Sequence, residues 1–249
     1  MIKIFIDPGH GGDSIGASYK GRLEQDDCLR LALAVREILF TQKGIETMLS
    51  REDNTDPDLL KRTERANGWG ADYYISIHRN AFTPEGATGV EAWVYSAAEP
   101  DGITYNMAKN IVDGVCEVTG LRNRGVRRGA PAYRDYAVNS YTKMHSCLLE
   151  VGFIDNTNDN AVFDERLPGI AMSIARALTE NMGLEFVPPV IKGDADGDGK
   201  VTASDARLIL RAATGLEKLG TEKGDLDGDG KITASDARDA LRIATGQEV

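Results

Sequence analysis

Cysteine and histidine are scarce, with three of each in 249 residues. Cys28, Cys116 and Cys147 form no CxxC pair and are odd in number, which excludes a disulfide framework and leaves buried free thiols. No apolar run approaches the ~18 residues that cross a bilayer, so no membrane insertion is expected. Positive charge is also short: 29 Lys and Arg face 39 Asp and Glu, net −10. Residues 192–249 hold 12 acids and 9 bases, and the remainder 27 and 20. Neither part offers a basic surface, which argues against nucleic acid as a partner. The opening residues meet Asp7 too early for the apolar stretch of a signal peptide, so no export signal is expected. What remains is a soluble globular composition, 41% hydrophobic and 27% charged, at a length that suits one or two domains.

Residues 2–6 read as a short buried strand, closed by the loop Asp7-Pro8-Gly9-His10-Gly11-Gly12. Cys28, Leu31, Ala32, Val35, Ile38 and Leu39 fall at helical spacing, with Gly44 placed to end the helix. Strands are expected at 45–49, 73–77 (with His78 at its end), 90–95 and 147–153. Helices are expected at 59–69, around Met107, Ile111, Val115 and Val118 up to Gly120, and at 171–182. Such alternation predicts an α/β fold, a twisted, mostly parallel sheet flanked by helices. Residues 1–185 form this domain, 186–192 a linker containing Pro188 and Pro189, and 193–249 a small all-α module.

That module is an internal duplication. Residues 193–215 and 224–246 match at 18 of 23 positions, offset by 31. Each copy carries acids at loop positions 1, 3, 5 and 12: Asp194, Asp196, Asp198 and Asp205, then Asp225, Asp227, Asp229 and Asp236. Gly199 and Gly230 permit a sharp turn. Lys200 and Lys231 offer backbone carbonyls at position 7, and Thr202 and Thr233 stand at position 9. Alternate residues of a tight loop surround one point with oxygens, which suits Ca²⁺ better than Mg²⁺. A loop followed by one helix, duplicated, resembles a type I dockerin. The resemblance implies two structural Ca²⁺ ions and a cohesin, or a cell-wall component, as partner. Ala203, Ser204, Ala234 and Ser235 then occupy the partner-contacting positions.

His10 follows the first strand and His78 ends another, while Glu150 lies within a third and Glu24 begins the first long helix. Groups just past the carboxyl ends of parallel strands converge on one crevice. Two imidazoles and a carboxylate leave one position open on a catalytic zinc, and a second carboxylate can move the proton of the attacking water. Spacing alone does not choose between this and structural histidines. Four local words, in order, add to it: Asp7-Pro8-Gly9-His10-Gly11-Gly12, Glu24 fourteen residues on, Ser76-Ile77-His78-Arg79-Asn80-Ala81, and Leu149-Glu150-Val151-Gly152-Phe153-Ile154-Asp155-Asn156. Together they resemble the zinc-dependent N-acetylmuramoyl-L-alanine amidases of the amidase-3 family over residues 1–184. The resemblance implies one Zn²⁺ held by His10, Glu24 and His78, with Glu150 catalytic. It implies hydrolysis of the amide joining N-acetylmuramic acid to L-alanine in peptidoglycan.

His145 is a rival ligand, but strand alternation turns it to the face opposite Glu150, so a structural place is expected. Substrate contacts are expected at Arg79, Asn80, Arg124 and Arg127, because stem peptides carry carboxylates that guanidinium groups pair with in a planar fork. Two other functions fit the same residues: a zinc peptidase cutting within the stem peptide, and a dockerin-borne binding protein with an inactive hydrolase. Length and composition resemble a phage or prophage endolysin, made in the cytoplasm and acting on the cell wall. A secreted autolysin whose signal peptide was removed is the rival setting.

Overall fold

The computed structural model describes residues 1–82, 86–132 and 134–247. The chain divides into two compact units, Met1–Val187 and Pro188–Val249.

The first unit begins with β1 (Ile2–Pro8), a two-residue pair β2 (Ser18–Tyr19) and β3 (Arg22–Leu23), and α1 (Glu24–Phe40). It continues through β4 (Ile45–Leu49), α2 (Leu59–Trp69), β5 (Tyr73–Asn80), β6 (Val90–Val94) and α3 (Ile103–Thr119). It closes with β7 (Asn123–Arg128), α4 (Ala137–Ser140), β8 (His145–Phe153) and α5 (Thr157–Asn181). Six strands form one sheet in the order β4-β1-β5-β8-β6-β7. The first four run parallel, β6 is antiparallel to β8, and β7 is parallel to β6.

Alternation along each strand sorts side chains to two faces. Ile4, Ile6, Ile75, Ile77, Cys147 and Leu149 pack with Leu31, Val35, Ile111 and Ile174 of α1, α3 and α5. Phe5, Tyr74 and Leu148 face the other way, onto Ala66 of α2 and Val138 of α4. The second face is thinly covered, and there the cleft opens.

Several boundaries differ from those the sequence suggests. The first helix stops at Phe40, capped by Thr41, while Gly44 supplies a left-handed turn ahead of β4. β5 runs on to Asn80, so His78 lies inside a strand, next to a register shift. The last helix begins at Thr157 and passes through Pro168. Its start is capped by the Asn156 side chain, which accepts from the amides of Asn158 and Asp159.

The second unit contains α6 (Ala203–Ala213), α7 (Thr221–Gly224) and α8 (Ala234–Ala244). Ala206, Ile209, Ala237 and Ala240 make its small core. Both long helices start with a capping box, Thr202 with Asp205 and Thr233 with Asp236.

Candidate active site

The sheet register sets up the site. His78 on β5 is the partner of Glu150 on β8, and Glu150 is the partner of Glu91 on β6. Three polar side chains thus lie in one row, on the thinly covered face and about one strand spacing apart, ~4.8 Å. His10 enters from the loop after β1, and Glu24 from the first residue of α1.

Both oxygens of the Glu24 carboxylate are committed. Oε2 lies 3.2 Å from His10 Nε2 and accepts from the Ala17 amide, whereas Oε1 lies 3.0 Å from His78 Nδ1 and accepts from the Arg79 amide. The two imidazoles meet edge to face, ring centres 4.9 Å apart. One donor atom from each of His10, Glu24 and His78 lies within 4.8 Å of the others. Burial alone would raise the Glu24 pKa, but hydrogen bonds and charge from His10 and His78 outweigh it and hold the carboxyl well below its usual range.

Glu150 is in the opposite condition. It is buried, its Oε2 has no hydrogen-bond partner among the described residues, and burial followed by repulsion from Glu24 and Glu91 pushes its pKa well up. Both sets of groups line a cleft of about 370 Å³, with Leu59, Tyr136 and Val138 as further walls. Burial, then the carboxylates of Glu150, Glu91 and Glu24, raise the Tyr136 phenol to about 12, so it presents a neutral hydroxyl there.

In the second unit, Asp194 accepts from the amides of Gly197, Asp198 and Gly199, and Asp205 from those of Ala195, Asp196 and Thr202. Asp225 and Asp236 repeat this 31 residues on. Carboxylate oxygens of Asp194, Asp196 and Asp205 converge in the first loop, and those of Asp225, Asp227 and Asp229 in the second. Asp198 and Asp236 stand outside these two groups. Ala203, Ser204 and Ala234 are exposed and Ser235 half-buried at the helix starts.

The family model for N-acetylmuramoyl-L-alanine amidase matches residues 4–180, and that for the dockerin type I domain residues 192–239. The chain belongs to the N-acetylmuramoyl-L-alanine amidase family. It is 38% identical over 189 residues to the amidase CwlM of Bacillus licheniformis, covering 75% of this chain and 69% of that protein. It is 29% identical over 184 residues to the endolysin of Bacillus phage SPP1, covering 73% of this chain and 66% of the endolysin. The chain thus spans about two thirds of the length of each. The catalytic domain of the amidase CwlV from Bacillus (Paenibacillus) polymyxa superimposes with a TM-score of 0.67 at 30% identity, over 74% of this chain and all of that one.

One substrate contact expected from this amidase sequence is not placed to act as one. Arg79 adjoins His78 on β5, so alternation turns it to the opposite face. Its side chain is 1% exposed and bonds Asp27 and Asn160, with the guanidinium 4.2 Å over the Phe163 ring. It ties β5 to α1 and α5. Asn80 faces the cleft, donating to Glu91 at 2.9 Å, and Arg124 and Arg127 reach the same carboxylate from β7. His145 lies at the other end of β8, 2.8 Å from the Thr104 hydroxyl and against the Tyr73 ring. Glu91 and Tyr136 were not singled out in the sequence. Glu91 sits in a run that reads as a plain buried strand, and only the register with Glu150 reveals it.

Proposed function

We propose that the chain hydrolyses the amide between N-acetylmuramic acid and L-alanine in peptidoglycan, using one Zn²⁺ held by His10, Glu24 and His78. The observation that carries this reading is the convergence of those three donors beside a buried carboxyl, Glu150, with an oxygen that has no partner among the described residues. Two imidazoles and one carboxylate are a donor set that suits zinc. When bound, zinc would supply Lewis acidity to the scissile carbonyl and lower the pKa of water.

The protein's own part is proton handling. Glu150 accepts the proton of the attacking water and returns it to the departing L-alanine nitrogen. Burial, then the charges of Glu24 and Glu91, give it a higher proton affinity than an ordinary carboxylate, which suits a group that must take a proton from water. The Ser14 hydroxyl lies 3.4 Å from the other nitrogen of the His10 ring, Nδ1, and helps to orient it.

In the second unit the reading is two structural Ca²⁺ ions, one per aspartate loop, with a cohesin-type or cell-wall partner at Ala203, Ser204, Ala234 and Ser235. The loop carboxylates and the dockerin match support it. The site of action is the bacterial cell wall.

Digestion of purified peptidoglycan by the wild type and by Glu150→Gln tests the enzyme. New L-alanine amino termini and peptide-free glycan are expected from the wild type, with activity lost on zinc chelation. Glu150→Gln should retain zinc and lose ~10²–10⁴-fold in rate. New termini inside the stem peptide would make the chain a peptidase, and near-normal turnover of Glu150→Gln would move the acid–base role elsewhere.

A further inference from the structure

Beside Glu150 stands a cationic pair whose geometry is built from three strands. The Glu91 carboxylate is buried and fully used: Oε1 accepts from Asn80 Nδ2 at 2.9 Å, while Oε2 accepts from Arg124 Nε at 2.8 Å and Arg127 Nε at 3.2 Å. Arg124 and Arg127 are three residues apart, so an even pleat would turn them to opposite faces. A register shift between Val90 and Glu91, with Gly125 at φ +79°, breaks the alternation and brings both to one carboxylate. Their planes are fixed further, Arg124 lying 5.0 Å over the Phe153 ring and Arg127 5.7 Å over the Trp93 ring.

Among the described residues only the Nε atoms donate hydrogen bonds. The terminal Nη groups of both arginines have no hydrogen-bond partner among the described residues, and the side chains are 25% and 47% exposed. Two guanidinium charges against one carboxylate leave a net positive charge, in a chain of net charge −10. Glu91 is the direct cross-strand partner of Glu150, and the two arginines come from β7, the next strand out, so this charge stands between one and two strand spacings, ~5–10 Å, from the carboxyl that would act on the scissile bond. At ~3.5 Å per extended residue, a group held there belongs to the second residue beyond that bond.

We infer that Arg124 and Arg127, clamped by Glu91, form a subsite for a free carboxylate on the stem residue that follows L-alanine. This rests on the amidase reading above. It also assigns specificity: a stem whose second residue carries a free α-carboxylate offers an anionic acceptor to the Nη fork, and the same stem with that group amidated does not.

The test uses the full chain with zinc and two matched N-acetylmuramoyl peptides, identical except for carboxylate or carboxamide on the second residue. The wild type should favour the carboxylate by roughly tenfold in kcat/KM, expressed in KM. Arg124→Gln and Arg127→Gln should each reduce that preference to about twofold or less, by raising KM for the carboxylate substrate. Arg128→Gln, on the same strand but without contact to Glu91, should keep the preference, which separates a built subsite from general charge attraction. Equal rates on both substrates in the wild type would overturn the subsite and leave the amidase reading intact. An equal loss of preference in Arg128→Gln would overturn it as well. Cleavage at any bond other than that to L-alanine would remove the amidase reading and the subsite with it.

Discussion

At the scale of single residues, the donors of the proposed zinc site are packed against bare backbone. A β-carbon on Gly16, which holds φ +70°, would lie 2.5 Å from Glu24 Oε2 and 2.7 Å from the His10 ring. One on Gly9 would lie 2.3 Å from the ring of His78. Real β-carbons do not approach so closely, so any larger residue must displace a donor. Gly16→Ala is therefore expected to bind zinc at least about tenfold more weakly, the range for losing groups that orient ligands, while keeping its helical signal. Gly68, in α2 with open space around it, is the comparison. Gly68→Ala should hold zinc normally and gain about 0.5–1 kcal/mol of stability. Zinc titration of the apo-protein reads both, and wild-type affinity in Gly16→Ala would show that the packing does not set the donor positions. His10, His78 and Glu150 were legible in the sequence because each sits inside a distinctive local word, and Glu24 because it follows the first of them by fourteen residues. Glu91 was not, since its importance comes from which residue lies across the sheet.

At the scale of elements, one buried carboxylate joins the ends of three strands and a helix. Asp7 at the end of β1 accepts from Ser50 after β4 at 2.6 Å, from Ser76 in β5 at 2.8 Å and from Arg62 in α2 at 2.7 Å. Arg62 also donates to the carbonyls of Pro8 and His10, and Arg51 to those of Pro8 and Gly9, so the His10 loop is clamped from within. Burial alone would raise the Asp7 pKa, but the Arg62 charge and these hydrogen bonds outweigh it and hold the carboxyl below its ordinary 3.8. A folded-state pKa below the unfolded one means the unfolded chain binds more protons in acid. The stabilisation is present above pH ~4 and is lost as pH falls through the folded-state value. Asp7→Asn should cost up to about 3–5 kcal/mol near neutrality, because the buried Arg62 keeps only the exposed Asp56 carboxylate, at 3.2 Å, as an ion partner, and the loss should narrow in acid. Urea midpoints from pH 7 down to 3 check this; a constant difference would show that Asp7 keeps its proton affinity on folding. The same elements show where sequence reading stops. Burial on both faces leaves an apolar stretch in each of β1, β5 and β8, whereas β7, Asn-Arg-Gly-Val-Arg-Arg, is a sheet edge that looks like a charged loop. The first half of α5 is polar and ends at Pro168, so packing against α1 and α3, not its pattern, makes it helical.

At the scale of the whole molecule, the two units differ in what holds them together. Residues 1–187 bury apolar side chains on both faces of a six-stranded sheet, enough to stand without an ion in place. The second unit has a core of three alanines, Ala206, Ala237 and Ala240, with Ile209, bordered by partly buried Val201, Leu219, Leu226 and Ile232. Against that small core stand eight loop aspartates. Their repulsion is visible at Asp196, where burial and the charges of Asp205, Asp198 and Asp194 outweigh a hydrogen bond from the Asp198 amide and raise the pKa. Two Ca²⁺ ions would cancel four of those eight charges. Asp205 and Asp236 each cap a helix and fasten loop amides, so loop order and helix formation are coupled through one side chain. Binding confined to the folded form adds RT ln(1 + [L]/Kd), about 2.7 kcal/mol per site at calcium a hundredfold above Kd. Calorimetry of the full chain should therefore show two transitions. The one from the second unit should shift upward with calcium and fall or vanish in a calcium-selective chelator, while that of the amidase unit stays in place. Far-ultraviolet circular dichroism should lose the helical contribution of α6 and α8 under the same chelation. A calorimetric trace and spectrum that do not change between chelator and millimolar calcium would show that these loops fold without the ion and that their aspartates act as caps alone.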